Sequence, residues 1–284
     1  MWCWMNGEFL RADELMISPF DHGFLYGAGF FETFRTYGGN VFLYDEHMDR
    51  LHTALAEYRI SMPYDEMEIL NAVNRLDELN GGCDGYFRLN VSAGVHDIGL
   101  SPSFYAMPNV ILFRKVLVPT VRGTEKRAVW LKTPRNNPES TVRHKSHNFL
   151  NNVRGRLELS SLKEMEGLFV TAEGHVAEGV TSNVFWLKNG VLFTPAVETG
   201  ILPGTTRAFI IDSAKSAGIS VNEGFYGKED VETADEIFVT NAVQELVPLS
   251  MIEEKQLPGA GGVFYKKLHE CYLQAIDDMK EGYR

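Results

Sequence analysis

Three short turn sequences constrain this chain more than anything else in it. Asn6-Gly7, Gly38-Gly39-Asn40 and Asn189-Gly190 each lie between two runs of strand-forming residues. Such pairs favour the φ > 0 conformation that tight hairpins need, so each pair of runs reads as a hairpin. The first joins Trp2–Met5 to Glu8–Leu10, the second Phe30–Tyr37 to Val41–Tyr44, the third Val180–Leu187 to Val191–Thr194. No strand leads into G-x-G-x-x-G or G-x-x-x-x-G-K-[ST], so the common dinucleotide and P-loop sites are absent.

Helices fill the intervals. Asp45 is the expected cap of a helix to about Glu57, with Met48, Leu51 and Leu55 at helical spacing. A second helix is expected from Tyr64 to Leu79, stopped by Asn80-Gly81-Gly82, followed by strands at Tyr86–Ala93 and Val110–Val116. The stretch 118–124 lacks periodicity and carries chain breakers, which places a linker there. Beyond it come a strand at Ala128–Lys132, a helix at Asn148–Leu162, a strand at Gly167–Thr171, a helix at Thr205–Ala217, a strand at Glu236–Asn241 and a C-terminal helix. Residues 1–117 thus form an N-terminal α+β domain, and 125–284 a domain of many short strands with a few helices. The length, 284 residues, suits two domains of roughly 150 residues.

The balance of 27 Lys+Arg against 38 Asp+Glu leaves a net charge of −11, the wrong sign for a protein that grips nucleic-acid phosphates. No apolar run reaches the length of a membrane-spanning helix, and the N-terminus lacks the basic and apolar regions of a signal peptide. Cys3, Cys83 and Cys271 are odd in number and far apart, which argues against a disulfide framework or a metal cluster and fits a reduced, cytoplasmic setting.

Four segments could carry chemistry, and each also has a plain structural reading. Arg143-His144-Lys145-Ser146-His147-Asn148 is either a solvated basic loop or the site of an amine made nucleophilic by neighbouring cations and apolar walls. Glu178, in Ala177-Glu178-Gly179, is either an exposed residue at a strand entry or the carboxylate partner that a pyridinium nitrogen needs. Gly204-Thr205-Thr206-Arg207 opens a helix, where hydroxyls and free N–H groups serve as simple caps or as a phosphate seat. Arg50 is an exposed helical arginine or a bidentate phosphate ligand.

Taken in order, Glu46-His47-Met48-Asp49-Arg50-Leu51, Lys145, Ala177-Glu178-Gly179 with Ser182-Asn183-Val184-Phe185, and Gly204-Thr205-Thr206-Arg207 resemble the fold-type IV pyridoxal-phosphate enzymes over nearly the whole chain. The resemblance implies an α+β N-terminal domain, a C-terminal pseudo-barrel, pyridoxal 5'-phosphate bound between them, a homodimer and a small-molecule substrate. It implies that Lys145 is the Schiff-base lysine, that Glu178 pairs with the pyridine nitrogen, and that Arg50, Thr205 and Thr206 hold the phosphate, with Ser182, Asn183 and the Thr240-Asn241 loop also at the cofactor.

Within the family, Ser18-Pro19-Phe20-Asp21-His22-Gly23, Phe31-Glu32-Thr33-Phe34-Arg35, Arg88-Leu89-Asn90 and Lys145-Ser146-His147-Asn148 look most like the 4-amino-4-deoxychorismate lyases, which release 4-aminobenzoate and pyruvate on the way to folate. Phe31 stands where D-amino-acid aminotransferases have a tyrosine, and Ile98 where they have an arginine. The implied roles are Lys145 as base, Lys145 or Thr33 as proton donor to the enol, and Arg35, Phe31 and Arg88 at the substrate, Arg35 being favoured for its carboxylates and Arg114 a further candidate. The alternatives are a D-amino-acid or branched-chain aminotransferase, and a catalytically idle scaffold that binds a phosphate ligand or a partner.

Overall fold

Alternation of apolar and polar residues along the first strands decides which face of the N-terminal sheet is covered. The computed structural model describes residues 1–100, 103–117 and 121–282. Its chain divides into two compact units. One comprises Met1–Val118, His144–Asn148 and Met279–Arg284, the other Pro119–Arg143 and Phe149–Asp278. Positions 118–120 of the expected linker lie outside the described residues. Residues 144–148 group with the first unit although they fall within the range expected for the second domain.

The first unit contains β1 (Trp2–Met5), β2 (Glu8–Arg11), α1 (His22–Tyr26), β3 (Gly29–Tyr37), β4 (Asn40–Val41), α2 (Tyr44–Glu57), α3 (Glu66–Leu79), β5 (Gly85–Ser92) and β6 (Asn109–Val116). Its strands form one antiparallel sheet in the order β2-β1-β6-β5-β3-β4. Phe30 and Phe34 of β3, Phe87, Leu89 and Val91 of β5, and Val110 and Leu112 of β6 turn to one side. There they meet Met48, Leu51 and Leu55 of α2 and Ile69, Val73 and Leu76 of α3. Phe31, Thr33 and Arg35 of β3, with Tyr86, Arg88 and Asn90 of β5, therefore share the opposite face.

The first hairpin forms as expected, with Asn6 and Gly7 both at positive φ. The second is shorter than expected. Only Asn40–Val41 pair with β3, and Leu43, at φ 58, turns the chain directly into α2. Asp45 consequently sits inside the first helical turn rather than at the cap. α3 starts two residues later than expected, where Asp65 and Glu68 make a reciprocal capping box.

The second unit holds β7 (Lys126–Trp130), α4 (Leu150–Leu157), β8 (Met165–Val170), β9 (Val176–Gly179), β10 (Asn183–Lys188), β11 (Val191–Pro195), α5 (Thr205–Ser216), β12 (Val221–Gly224), α6 (Lys228–Glu232), β13 (Glu236–Asn241), β14 (Glu245–Ile252), β15 (Lys255–Gln256) and most of α7 (Val263–Gly282). Its sheet runs β12-β11-β10-β13-β14-β7-β8-β9, with β15 on β14. The Val176 N–H at the β9 end donates to the Tyr226 carbonyl just past β12 at 2.8 Å, so the sheet curls until its two ends approach. This is the pseudo-barrel. The strand expected from Val180 begins only at Asn183, because residues 180–182 form a bend after the separate short strand β9, and α4 ends at Leu157 instead of Leu162. β14 and β12 had no turn signature to announce them. No helix among the described residues is long and apolar enough to cross a membrane.

Candidate active site

In the first unit, residues 145–147 lie along the start of β3. The Phe31 N–H donates to the Lys145 carbonyl and the His147 N–H to the Gly29 carbonyl, both at 2.9 Å. Gly29 permits this approach, because a Cβ there would lie 2.5 Å from the His147 ring and 2.7 Å from the Val91 carbonyl. The result places Lys145 Nζ 4.7 Å from the centre of the Phe31 ring. Arg88 stands over the same ring with its Cζ at 3.5 Å, and His147 stacks on it at 6.3 Å.

Arg88 donates from Nε to Asn90 Oδ1 at 3.0 Å. Among the described residues it has no carboxylate partner. Burial pulls its pKa down, opposed by the neighbouring Tyr86. Burial and the Arg88 charge also hold His147 down to about 4, against an opposing pull from Asp21. Arg35 lies over the Tyr37 ring at 4.3 Å, on the same face as Phe31 and Thr33.

Arg114 is a correction. It was a candidate for substrate carboxylates, but in the β5–β6 register it is paired with Phe87, whose side chain faces the helices. Its guanidinium is buried there against Asp77 of α3 at 3.0 Å. Strand alternation puts it on the face opposite Arg88.

On the helix side, Glu32 accepts from Arg50 Nε at 2.8 Å, from an Arg50 terminal nitrogen at 2.7 Å, and meets His47 Nδ1 at 2.7 Å. Glu32 and His47 are both 1 % exposed. Burial works to raise the Glu32 pKa, but Arg50 and His47 outweigh it and bring it to about 2. Burial is the main cause that lowers the His47 pKa, with Arg50 and Lys145 adding to it against Glu32. Glu32 and His47 carried no separate signal in the sequence. Glu32 holds the Arg50 guanidinium through two of its nitrogens, and His47 meets the same carboxylate.

In the second unit, Glu178 is buried at the end of β9. Its Oε1 accepts from Arg135 Nε at 2.9 Å and pairs with an Arg135 terminal nitrogen at 2.7 Å. Its Oε2 accepts from the Leu202 N–H at 3.0 Å and from Asn183 Nδ2 at 3.4 Å. Arg143 stands 3.9 Å from Oε1. Burial and the Arg135 charge bring Arg143 down to about 10, with Glu178 and Glu139 acting in the other direction. The exposed reading of Glu178 is therefore overturned by tertiary packing. Arg135 and Arg143 were missed as its partners, and the basic character of 143–145 was the one hint.

Thr205 and Thr206 open α5, whose cap, Gly204, supplies no side-chain hydrogen bond. Thr206 is 2 % exposed and its hydroxyl has no partner among the described residues, and the same holds for Thr240 at 2 % on β13. Two orphaned hydroxyls on elements that pack together, one of them at a helix N-terminus, suit an anion that offers several acceptor oxygens. These residues fit a phosphate group. Asn183 also donates to the Leu202 carbonyl at 2.9 Å, Ser182 donates to Glu166 at 2.9 Å, and Asn241 accepts from the Val243 and Gln244 N–H groups at 3.0 and 2.7 Å.

The profile of amino-transferase class IV matches residues 29–252. The chain is 41% identical over 278 residues to the aminodeoxychorismate lyase of Bacillus subtilis (strain 168), covering 97% of this chain and 95% of that one. It superimposes on the 4-amino-4-deoxychorismate lyase of Pseudomonas aeruginosa with a TM-score of 0.84 at 26% identity, covering 96% of this chain and 98% of the other. The branched-chain aminotransferase of the thermophilic archaeon Thermoproteus uzoniensis, solved with norvaline, gives a TM-score of 0.89 at 26% identity, with 100% of this chain and 97% of that one covered. A match this extended, on a fold with the same curled sheet, places the chain in the class IV aminotransferase family.

Proposed function

We propose that this chain is a pyridoxal-phosphate-dependent lyase that splits 4-amino-4-deoxychorismate into 4-aminobenzoate and pyruvate. The observation that carries the reading is the pairing of Lys145 and Arg88 over the Phe31 ring. An amine, a cation without a carboxylate partner among the described residues, and a flat apolar surface together suit an anionic, cyclic amine. The near full-length similarity to the Bacillus subtilis lyase supports the same reaction.

Pyridoxal phosphate supplies an electron sink for the pair released when the C–H bond beside the substrate nitrogen breaks. Lys145 would hold the cofactor through its amine and would serve as the base that takes that proton. Glu178, held by Arg135, the Leu202 N–H and Asn183, keeps the ring nitrogen protonated. The 3.4 Å Asn183 contact is the longest of these and the one a charged donor would most readily replace. Arg50, Thr205 and Thr206 hold the phosphate, with Thr240 joining them and Ser182 and Asn241 shaping the adjoining loops. Arg88 and Arg35 receive the substrate carboxylates, Phe31 supports the ring, and Lys145 or Thr33 returns a proton to the departing enol.

The exposed Met16, Phe24, Ile98, Leu100 and Met107 belong to adjoining segments of the first unit, linked by the Asp21–Val95 bridge. An apolar area of this kind supports a homodimer. The free cysteines and the absence of a long apolar helix among the described residues support a cytoplasmic location.

The reaction is redox-neutral and needs no second keto acid. Incubation with aminodeoxychorismate alone is expected to yield 4-aminobenzoate and pyruvate in equal amounts. Turnover of D-alanine or a branched-chain amino acid that depends on added keto acid, with no 4-aminobenzoate formed, overturns the proposal in favour of an aminotransferase.

A further inference from the structure

A buried ion pair that the reaction does not use lies beneath the cofactor-side loops of the second unit. Lys126 of β7 and Glu166 of β8 meet at 3.0 Å, and they are only 5 % and 3 % exposed. Each has a second contact. Glu166 accepts from Ser182 in the β9–β10 connection at 2.9 Å, and Lys126 donates to Gln244 Oε1 in the β13–β14 turn at 3.3 Å. Gln244 Oε1 also accepts from Asn241 at 3.2 Å. The path Ser182–Glu166–Lys126–Gln244–Asn241 therefore links two loops distant in sequence. Between its ends, Asn183 of β10 is paired in register with Thr240 of β13.

We infer that Lys126 and Glu166 are positioning residues, a charged crosslink that holds Thr240 and its neighbours in place for the cofactor phosphate. A buried ion pair adds little net stability over apolar packing, so its use lies in geometry. The surroundings are closed around it. A Cβ on Gly179 would lie 2.1 Å from Ser182 Oγ and 2.5 Å from Glu166 Oε1, so the Ser182–Glu166 contact packs directly on a residue without a side chain. The crosslink does not touch the proposed phosphate seat. It acts through the backbone of 240–244, whose turn is already closed by Asn241 accepting from two N–H groups. The inference rests on the assignment of Thr206 and Thr240 to the phosphate.

The experiment compares binding of pyridoxal phosphate and of pyridoxal, which lacks the phosphate, to the cofactor-free protein. Lys126→Met/Glu166→Gln removes both charges together, so neither is left stranded, and Gln244→Leu keeps the ion pair but cuts its link to the turn. Both variants are expected to keep the cofactor-free Tm within a few degrees. Both are expected to weaken pyridoxal phosphate binding about tenfold, the scale of one charge-assisted contact, while pyridoxal binding changes little. Thr240→Val, measured beside them, tests the seat. Selective loss in Thr240→Val with unchanged binding in the other two overturns the crosslink and leaves the seat standing. Unchanged binding in all three removes the seat and the inference with it. Equal weakening for both ligands, or a fall in Tm that accounts for the loss, also overturns it.

Discussion

Replacing Glu178 by glutamine keeps the shape of the side chain and removes its charge, which makes it a sharp probe of the charged cluster in the second unit. The wild-type carboxylate faces donors on both oxygens, with two Arg135 nitrogens on Oε1 and Leu202 N–H and Asn183 Nδ2 on Oε2. An amide offers one acceptor oxygen, so in either orientation its NH2 group meets donors. If the amide oxygen stays with Leu202, the two charge-assisted bonds to Arg135 are lost, at about 1.5–3 kcal/mol each. Stranding a buried charge gives a consistent figure of about 3–5 kcal/mol from a separate line of reasoning. The expected loss is therefore about 4 kcal/mol in urea unfolding of the cofactor-free protein, followed by tryptophan fluorescence. Arg135→Met in the Glu178→Gln background is expected to recover part of it, because it removes the stranded guanidinium. A single Glu178→Gln variant within about 1 kcal/mol of wild type refutes the reasoning, since Glu178 would then not be the counter-charge of Arg135.

Lys145→Ala is expected to abolish both turnover and borohydride-fixed labelling of the protein by the cofactor, and labelling at another lysine would reassign the nucleophile. Arg50→Ala is expected to weaken cofactor binding by about 1.5–3 kcal/mol and Thr206→Val by about 1 kcal/mol, a ranking read from absorbance titrations; equal effects would count against a charged phosphate ligand at Arg50. Arg88→Leu is expected to lower kcat/KM for aminodeoxychorismate by about 1.5–3 kcal/mol with the cofactor affinity unchanged, and a normal kcat/KM would retire it in favour of Arg35. The His147 pKa of about 4 in the folded protein lies below its ordinary 6.5, so the native state takes up fewer protons between these values. Stability is then present above pH 6.5 and falls as pH drops toward 4, by at most about 3 kcal/mol. Urea unfolding at pH 7 and pH 5, above the range where Glu32 titrates, is expected to show this slope in the wild type and a flatter one in His147→Gln.

Residues with local conformational demands were legible in the amino-acid sequence alone. Asn6-Gly7 and Asn189-Gly190 adopt the positive φ values that their turns require, and that requirement acts within four residues of chain. The spacing of Met48, Leu51 and Leu55 likewise predicted the buried stripe of α2, because helical periodicity and burial express the same geometry. The order of the Arg50, Lys145, Glu178 and Thr205-Thr206 segments was enough to point to the family and its cofactor. Which side chains surround those residues was a different matter. Arg114 and Arg88 are two basic residues on neighbouring strands, and only the β5–β6 register sends one against Asp77 and the other over Phe31. Residues 144–148 join the first unit through hydrogen bonds to Gly29 and Phe31, more than a hundred positions away in sequence. From its local sequence Glu178 could be an exposed strand-entry residue or a cofactor partner, and only the fold brings Arg135, Leu202 and Asn183 to it. A turn or a helical stripe is decided by φ, ψ and spacing within a few residues. A charge's partner is decided by strand register and by contacts between distant segments, which come into being only when the chain has folded.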